Sequence, residues 1–398
     1  MYLPNIPFEY FIFTGMLVGI AFFHQRALTI AVTGLIFTVT LKLLFGTFGV
    51  ETGIPGLASH LGHEASLLAN LFLLIVGFSV LASHFEHSNI PEATPRVLPS
   101  GWLGGLALLG FVFLLSSVLD NIAGAAIGGV IARHVYQERL GLGFLAAIIA
   151  AANAGGAGSV LGDTTTTMLW ISGISPLTLA RAFSGALVAF AVFATFAAWR
   201  QHRLSPGSRS AAASPPIAWR RVIVVAVILG SLLAVNLIGS SLFPDHIETY
   251  PWLGMGVWAA ILLTGFWASP DWKAAREASK GALFLVALVA TASLMPVAQL
   301  PAATWQTTFG LGAVSAVFDN IPLTALAINQ GGYDWALLAY AVGFGGSMLW
   351  FGSSAGVVLA GMFPEIKSTR NWLKSAWPIS VAYVAGFIAQ FLLFGWNP

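Results

Sequence analysis

The chain has 398 residues, of which 57% are apolar and 8% are charged. Soluble domains carry about a quarter charged residues, so this composition predicts a polytopic membrane protein in contact with the lipid bilayer. A formal net charge of +2 argues against a nucleic-acid partner. Without cysteine the chain has no disulfides and no thiolate metal sites, and we expect no resident cofactor.

Apolar stretches of about 20 residues, the length that crosses a bilayer, recur along the whole chain. The first lies in MYLPNIPFEYFIFTGMLVGIAFF, which lacks the basic start and small-residue cleavage site of a signal peptide, so we predict a first span there. The uninterrupted candidate spans are residues 8–24, 28–48, 67–84, 179–199, 222–243, 252–267, 282–298 and 375–396.

Four further apolar stretches are interrupted by polar or glycine-rich breaks. We expect the two that break at an Asp-Asn pair to be re-entrant hairpins, and the two that break at glycines to be unwound, discontinuous helices. The broken stretches are 102–133 at Asp120-Asn121, 142–175 at Gly155 to Thr167, 303–331 at Asp319-Asn320 and 335–363 at Gly343 to Gly356.

An internal repeat joins the two halves of the chain. SSVLDNI (116–122) resembles SAVFDNI (315–321), and GGAGSVLG (155–162) resembles GGSMLWFG (345–352), in the same order. The polar segment 200–221 reads as a flexible cytoplasmic linker between them. The sequence therefore predicts a first repeat over residues 1–199 and a second over 222–398.

The distribution of lysine and arginine predicts the orientation. If the hairpins do not cross, an outside N-terminus places every basic residue except Lys42 and Arg181 in the cytoplasm. The predicted outer loops, 49–66 and 244–251, then carry no lysine or arginine. Each half contains five spans and one hairpin, the halves are inverted, and both termini lie outside. Inverted repeats with broken helices are typical of secondary transporters.

Three carboxylates fall within the predicted membrane segments: Asp120, Asp163 and Asp319. Placing a charge at that depth costs at least about 2.5 kcal/mol of free energy, so an acidic residue within the membrane indicates a functional site. The adjacent amides and hydroxyls complete a set of hard oxygen ligands that suits small inorganic cations. No histidine lies beside the breaks, so a zinc site is not predicted. Burial raises the pKa of a carboxyl group, so it can hold either a proton or a cation near neutral pH.

Simpler interpretations compete with these functional ones. Asp-Asn pairs also cap helices, and Thr166 and Thr167 could satisfy the backbone of a broken helix. For Ser353 and Ser354, the sequence favours neither a role as cation ligands nor a role in packing. Lys42 is expected to extend outward to the interface, and His84 and His87 are expected to be solvated at a helix end. We expect the glycines to allow close backbone approach and unusual dihedral angles.

Several motifs together resemble the NhaD-type sodium/proton antiporters of the ion transporter superfamily, which includes arsenite, citrate and dicarboxylate transporters. The resemblance covers about residues 65 to 398 and rests on LDNIAGAAIGG, AANAGGAGSVLGDTTTTMLWI, MPVAQLP, SAVFDNIPLTALAI and YAVGFGGSMLWFGSSAGV. It implies exchange of Na+ or Li+ for H+, two hairpins, two unwound helices and an elevator-like movement. It also implies that a peripheral N-terminal helix is absent.

Carried over by position, the resemblance assigns the hairpin tips to Asp120-Asn121 and Asp319-Asn320. It assigns the unwound segments to Asn153–Thr167 and Gly345–Ser354. Relatives often have an acid in the MPVAQLP segment, where this chain has Ala298 and Gln299. An acidic role at that segment is therefore not carried over.

We predict a cation/proton antiporter of the bacterial inner membrane, compatible with a homodimer, in which Asp163 and Asp120 share one cation. The predicted Na+ or Li+ ligands are Asp120, Asn121, Asp163, Asp319 and Asn320, and the wider set of cation- and proton-binding residues adds Asn153, Thr164, Thr165, Ser353 and Ser354. The predicted hinge glycines are Gly155, Gly156, Gly158, Gly162, Gly345, Gly346 and Gly352.

Two other functions are weighed against this one. A sodium-coupled carboxylate or oxyanion transporter on the same fold would favour helix N-termini and a cationic or hydroxyl cradle for its substrate. The two sites offer acids instead, and the candidate cations are Lys42 and Arg181 at span margins. An intramembrane aspartyl protease would need a Gly-x-Gly-Asp pattern, which fails because position 160 is Val. We therefore expect a transporter and not an enzyme.

Overall fold

A computed structural model describes residues 7–23, 26–48, 51–137, 139–205, 216–242, 250–296, 300–318 and 320–398. In these residues the chain is all-α, which confirms the predicted class. The helices are α1 (Phe8–Phe22), α2 (Ala27–Phe45), α3 (Gly53–Glu86), α4 (Ile90–Val97), α5 (Trp102–Ser116), α6 (Asn121–Tyr136), α7 (Leu142–Gly156), α8 (Thr164–Ile171), α9 (Pro176–Ala180), α10 (Ala182–Leu204), α11 (Trp219–Leu242), α12 (Trp252–Thr264), α13 (Trp272–Ser293), α14 (Trp305–Ser315), α15 (Asn320–Gln330), α16 (Trp335–Gly345), α17 (Ser354–Met362) and α18 (Thr369–Phe394).

Several helices are long and apolar enough to cross a membrane. Among the described residues, four segments meet that criterion by length and composition: Ala27–Phe45, Gly53–Glu86, Pro176–Leu204 and Thr369–Phe394. Shorter apolar helices include α5, α7, α12 and α16. The chain is therefore a polytopic membrane protein.

Helix bounds differ from the predicted spans where helices continue past their apolar part. The predicted outer loop 49–66 is wrong from Gly53 onward, because α3 starts there and accommodates Pro55 in its first turn. Helix α13 begins at Trp272 rather than 282 because the Asp271 side chain accepts hydrogen bonds from the N–H groups of Lys273 and Ala274.

Helices also occupy both ends of the predicted linker 200–221, since α10 runs to Leu204 and α11 starts at Trp219. Its central residues 206–215, most of the predicted outer loop 244–251, and Ala298, Gln299 and Asp319 lie outside the described residues.

Side-chain caps mark the starts of several helices in the broken stretches. Asp120 accepts a 2.7 Å hydrogen bond from the Ala123 N–H at the start of α6. Thr304 and Thr307 form a capping box at α14, and Asp334 accepts from the Leu337 N–H at α16. Ser353 accepts from the Gly356 N–H at α17. These polar residues therefore define helix starts at fixed positions.

The contacts divide the chain into two compact units. Unit 1 comprises residues 1–80, 226–302 and 324–331. Within it, α2 packs on α13 and on α1. Helices α3 and α12 approach closely, since the Asn70 side chain accepts from the Gly254 N–H at 3.0 Å and the Trp258 indole donates to the Leu73 carbonyl at 3.0 Å.

A buried ion pair in unit 1 corrects the expectation for Lys42. Its ammonium donates to the Leu294 carbonyl at 2.7 Å and lies 3.9 Å from Glu9 Oε1. Both side chains are buried, so Lys42 does not extend outward to the interface. The end of α13 offers carbonyl groups that attract a cation. Glu9, on the apolar helix α1, is a further buried carboxylate in addition to the three predicted within membrane segments.

Unit 2 comprises residues 81–225, 303–323 and 332–398. Its centre is formed by α7 and α16, in which every residue from Phe144 to Gly156 and from Ala336 to Gly345 is buried. Helix α7 packs against α5, α6, α10 and α18, and also against α16 and α17. His84 is buried here with its Nδ1 3.2 Å from the Arg221 guanidinium, so the expected solvated position is wrong for this histidine.

The seven predicted hinge glycines serve close packing and not unusual dihedral angles. None of them has a positive φ. A Cβ atom at Gly155 would collide with the Phe113 carbonyl, and one at Gly345 would collide with the Gly312 carbonyl. A Cβ atom at any of the other five glycines would also lie closer to a neighbouring atom than van der Waals contact allows. These are Gly156, Gly158, Gly162, Gly346 and Gly352.

Gly155→Ala should therefore destabilise the protein, by about 1–3 kcal/mol, because α5 and α7 must separate to admit the methyl group. Gly230→Ala is the matched control, since nothing lies within 4 Å of its added Cβ and alanine favours the helix. The melting temperature of the detergent-solubilised protein measures both. Equal melting temperatures for the two variants would contradict the packing role.

Candidate functional site

Asp163 lies at the break between α7 and α8 in unit 2, and its side chain is 2% exposed. It occupies the N-cap position of α8 with extended backbone angles, yet its side chain makes no capping hydrogen bond. Ser353 occupies the corresponding position of α17 and does cap its helix. The Asp163 carboxylate is directed to other partners.

Those partners include the two asparagines that follow the predicted hairpin-tip aspartates. Asn121 Nδ2 donates to Asp163 Oδ1 at 3.2 Å, and Asn320 Nδ2 donates to Oδ1 at 3.1 Å and to Oδ2 at 3.2 Å. Each asparagine is the first residue of its helix, α6 or α15. Helix N-termini favour negative charge, so the acid lies where two helix starts and two amides stabilise a carboxylate.

Asn153 connects residues of the two sequence halves and is fully buried. Its Oδ1 accepts from Asn121 Nδ2 at 3.0 Å. Its Nδ2 donates to Ser347 Oγ at 2.9 Å and to Ser353 Oγ at 3.0 Å. The amide therefore links the start of α6 to the polar residues between α16 and α17.

The threonines after Asp163 divide into two groups. The Thr166 hydroxyl donates to the carbonyls of Ser159 and Asp163, and the Thr167 hydroxyl donates to those of Val160 and Asp163. Both side chains thus satisfy the backbone of the break, as the simpler interpretation expected. Thr164 is half-buried at the first position of α8, and Thr165 is buried beside it.

The structure brings together five of the predicted site residues: Asn121, Asn153, Asp163, Asn320 and Ser353. Asp120 instead caps α6, and Ser354 begins α17. Asp319 lies outside the described residues, so its part in the site stays a prediction, as does a cation shared by Asp120 and Asp163. Ser347 was missed, although it is the one polar residue among GGSMLWFG and was therefore recognisable.

Gly343 was missed as well, because a glycine contributes to this site through the space it leaves. A Cβ atom there would lie 3.1 Å from Asp163 Oδ2 and 3.7 Å from the Ala157 Cβ. The absence of a side chain on α16 leaves room beside one carboxylate oxygen.

The contacts around the two glycine-rich breaks correspond. Ser116 Oγ donates to the Ala152 carbonyl at 2.7 Å, and Ser315 Oγ donates to the Val342 carbonyl at 2.7 Å. A Cβ at Gly156 would be 2.5 Å from the Gly162 carbonyl oxygen, and one at Gly346 would be 2.6 Å from that of Gly352. Val342, Gly346 and Gly352 each lie 190 residues after their counterparts Ala152, Gly156 and Gly162, whereas Ser315 lies 199 residues after Ser116.

Among the described residues, the groups that surround the site are one acid, Asp163, with amides and hydroxyls. Within the part of the chain that the structure describes, no three histidine, aspartate or glutamate side chains gather as a metal site. A single carboxylate with neutral oxygen donors carries too little charge for a typical divalent site. Fold and site together define a polytopic membrane protein with a buried acidic residue surrounded by amides and hydroxyls.

Comparison with known proteins agrees with that class. No family model matches the chain. It is 29% identical over 385 residues to sodium/proton antiporter 1 of Arabidopsis thaliana, which covers 86% of this chain and 65% of the relative. It is 28% identical over 365 residues to sodium/proton antiporter 2 of the same plant, covering 79% and 83%.

A shorter match of 87 residues, 34% identical, is to the Na(+)/H(+) antiporter NhaD of Halomonas elongata and covers 21% of this chain and 18% of the relative. The chain spans less than two thirds of the first relative's length and more than two thirds of the second's. The resemblance inferred from the motifs is confirmed: the chain is related to the sodium/proton antiporters. These relatives are transporters and not enzymes.

Thr166→Val should destabilise the break at Asp163, because the carbonyls of Ser159 and Asp163 lose a buried donor. Leaving buried carbonyls without this donor costs about 1–3 kcal/mol. Thr40→Val is the control, since that exposed hydroxyl donates only within α2. Melting temperatures of the two purified variants provide the measurement, and a Thr166→Val protein as stable as the control would contradict the backbone role.

Proposed function

We propose that the protein exchanges Na+, and also Li+, for H+ across the membrane by alternating access. The observation that carries the proposal is the buried Asp163 carboxylate held by the amides of Asn121 and Asn320. A carboxylate at that depth is costly unless function retains it. Its neighbours are amides and hydroxyls, which ligate a cation better than they ligate an anion.

In the proposed mechanism the two asparagines change roles when a cation binds. Their amide nitrogens donate to Asp163 in this structure. An amide turned about its terminal bond presents its carbonyl oxygen where its nitrogen was, and asparagine offers both groups. A cation that reaches Asp163 would therefore be met by one carboxylate and two amide oxygens. Because the same Asn121 nitrogen donates to Asp163 and to Asn153, Asn121 would give up both of these hydrogen bonds when its oxygen turns to the cation.

A proton competes with the cation for the same carboxylate. Neutralising Asp163 with a proton removes the charge that retains Na+, and loss of the proton restores it. Because a buried carboxylate without either occupant is unfavourable, the site changes sides with one or the other bound. Exchange follows from this competition, and Asp120 and Asp319 are proposed to contribute further charge.

The corresponding contacts at the two breaks support an inverted repeat over residues 1–199 and 222–398. The Ser116 and Ser315 hydroxyls reach carbonyls at matching positions of α7 and α16. Each proposed half contains five spans and a hairpin, and alternating access would use the near-symmetry of the two. The proposed location is a bacterial inner membrane with both termini outside, which follows the distribution of basic residues.

The test uses inverted vesicles that hold an acid interior. Added Na+ or Li+ should collapse the gradient in the wild type, and Asp163→Asn should abolish the response because an amide cannot trade a proton for a cation. Asp120→Asn should also abolish exchange, although asparagine can still cap α6 and the melting temperature should stay near wild type.

K+ provides the ion control, and an ionophore that dissipates the gradient shows that each vesicle preparation is competent. No response from folded wild-type protein to either cation at acidic, neutral or alkaline pH would reject the function. Wild-type exchange by Asp163→Asn would remove this residue from the mechanism.

Asn320→Ala should weaken the apparent Na+ affinity about tenfold, a loss of roughly 1.4 kcal/mol, with a smaller effect on the maximal rate. The variant removes a neutral ligand and two of the hydrogen bonds that orient Asp163. Asn371→Ala changes the same residue type at an exposed position of α18 and should behave as wild type. A lower maximal rate with unchanged Na+ affinity would contradict the ligand role.

Gly343→Ala tests the space beside Asp163 Oδ2. The added methyl group should raise the Na+ concentration needed for half-maximal exchange by about tenfold and affect the smaller Li+ less, because it narrows the room beside the carboxylate. Gly361→Ala, with nothing within 4 Å of its Cβ, is the matched control. Equal effects on Na+ and Li+ would contradict a cation position beside Gly343.

A further inference from the structure

A cavity of about 440 Å³ lies in unit 2, away from Asp163, where α7 begins, α10 ends and α18 begins. Its wall is mostly apolar and includes Phe144, Ala147, Phe193, Ala197 and Ile379. The buried Gln201 amide beside it accepts from the Gly141 N–H and donates to the Arg139 carbonyl. The polar group at the wall is thus already satisfied by the backbone, which favours an apolar occupant inside the cavity.

The rim of the cavity is cationic. Arg200 and Arg203 both line it and are exposed, and no carboxylate is among its lining residues. The Arg203 guanidinium lies 4.1 Å from the centre of the Trp199 ring. Stacking on an aromatic ring holds the guanidinium in place while its N–H donors stay available to an anion.

Aromatic side chains place this rim at the depth of the lipid headgroups. Trp199 and Trp377 are 44% and 51% exposed, and Phe196 contacts both rings. Half-exposed tryptophans are typical of the interface between hydrocarbon and water. The basic residues at this end predict the cytoplasmic side, whose leaflet carries anionic lipids.

We propose that this cavity binds one anionic phospholipid, with an acyl chain against the apolar wall and the phosphate at Arg200 and Arg203. The occupant must be apolar over most of its length and negatively charged at one end, and it must reach the cavity from the interface. A phospholipid with net negative charge meets all three conditions. The site is independent of the ion that the protein transports.

Native mass spectrometry of the full chain tests the proposal with phosphatidylglycerol and phosphatidylcholine as probes. The wild type should retain one phosphatidylglycerol per chain, at a concentration about tenfold lower than phosphatidylcholine requires. Arg200→Gln with Arg203→Gln should remove that preference, and both exposed side chains can change without loss of folding. Lys273→Gln with Arg276→Gln, exposed on α13, removes equal charge away from the cavity and should bind like wild type.

Ala197→Phe tests the apolar wall by filling the cavity while both arginines remain, and it should also lose the retained lipid. Wild-type retention of phosphatidylglycerol by the double arginine variant would overturn the proposal. Equal retention of the two lipids by wild type would do so too, as would displacement of phosphatidylglycerol by millimolar inorganic phosphate, which would indicate a free-anion site. A cavity covered by a second copy or by residues 206–215 would show no retained lipid in the wild type.

Discussion

The central constraint on this fold is a carboxylate that must be buried and yet remain able to change its occupant. Asp163 is 2% exposed and accepts hydrogen bonds from Asn121 and Asn320. Bringing those amides to one acid requires two helices to begin beside it and a third to be interrupted at it. The breaks, the capping residues and the close glycine contacts can all be understood as the means of meeting that requirement without leaving backbone groups unsatisfied.

Corresponding positions of the two glycine-rich breaks carry different chemistry. Asn153 donates to Ser347 and Ser353, a fully polar set. The positions that correspond to these three, 190 residues away by the offset that relates 156 to 346, are Gly343, Ala157 and Asp163. Asp163 therefore has Gly343 and Ala157 at the positions where its counterpart, Ser353, has the amide of Asn153 and the hydroxyl of Ser347. Asn153, Ser347 and Ser353 are joined by hydrogen bonds, whereas Gly343 leaves space beside the Asp163 carboxylate.

The sequence predicted the all-α membrane class and several of the helix starts, for identifiable physical reasons. Caps and glycine breaks are local, so their positions at Asp120, Asp163 and Ser353 could be recognised from neighbouring residues. The sequence could not show which carboxylate is directed away from its own helix. Asp120 and Asp163 both precede helices, and only tertiary contacts distinguish them.

Long-range contacts explain the other differences. Lys42 was expected at the interface because its partners, Glu9 and the Leu294 carbonyl, come from distant parts of the chain. The glycines were recognised, and close approach was expected correctly, but unusual dihedral angles were not found. The backbone angles are ordinary, and neighbouring carbonyl groups, or at Gly158 the Phe183 ring, exclude a Cβ atom. Gly343 contributes space, which no residue-type pattern reveals.

The central claim is that one carboxylate, Asp163, binds either a proton or a cation. Calorimetric titration of the purified protein with Na+ or Li+, in two buffers that differ in ionisation enthalpy, measures the protons released per cation bound. The account predicts release of about one proton per cation on the acidic side of the transition, with weaker apparent affinity as the pH falls, and neither effect in Asp163→Asn. Cation binding with no proton release and no pH dependence in the wild type, or equal proton release by Asp163→Asn, would contradict it.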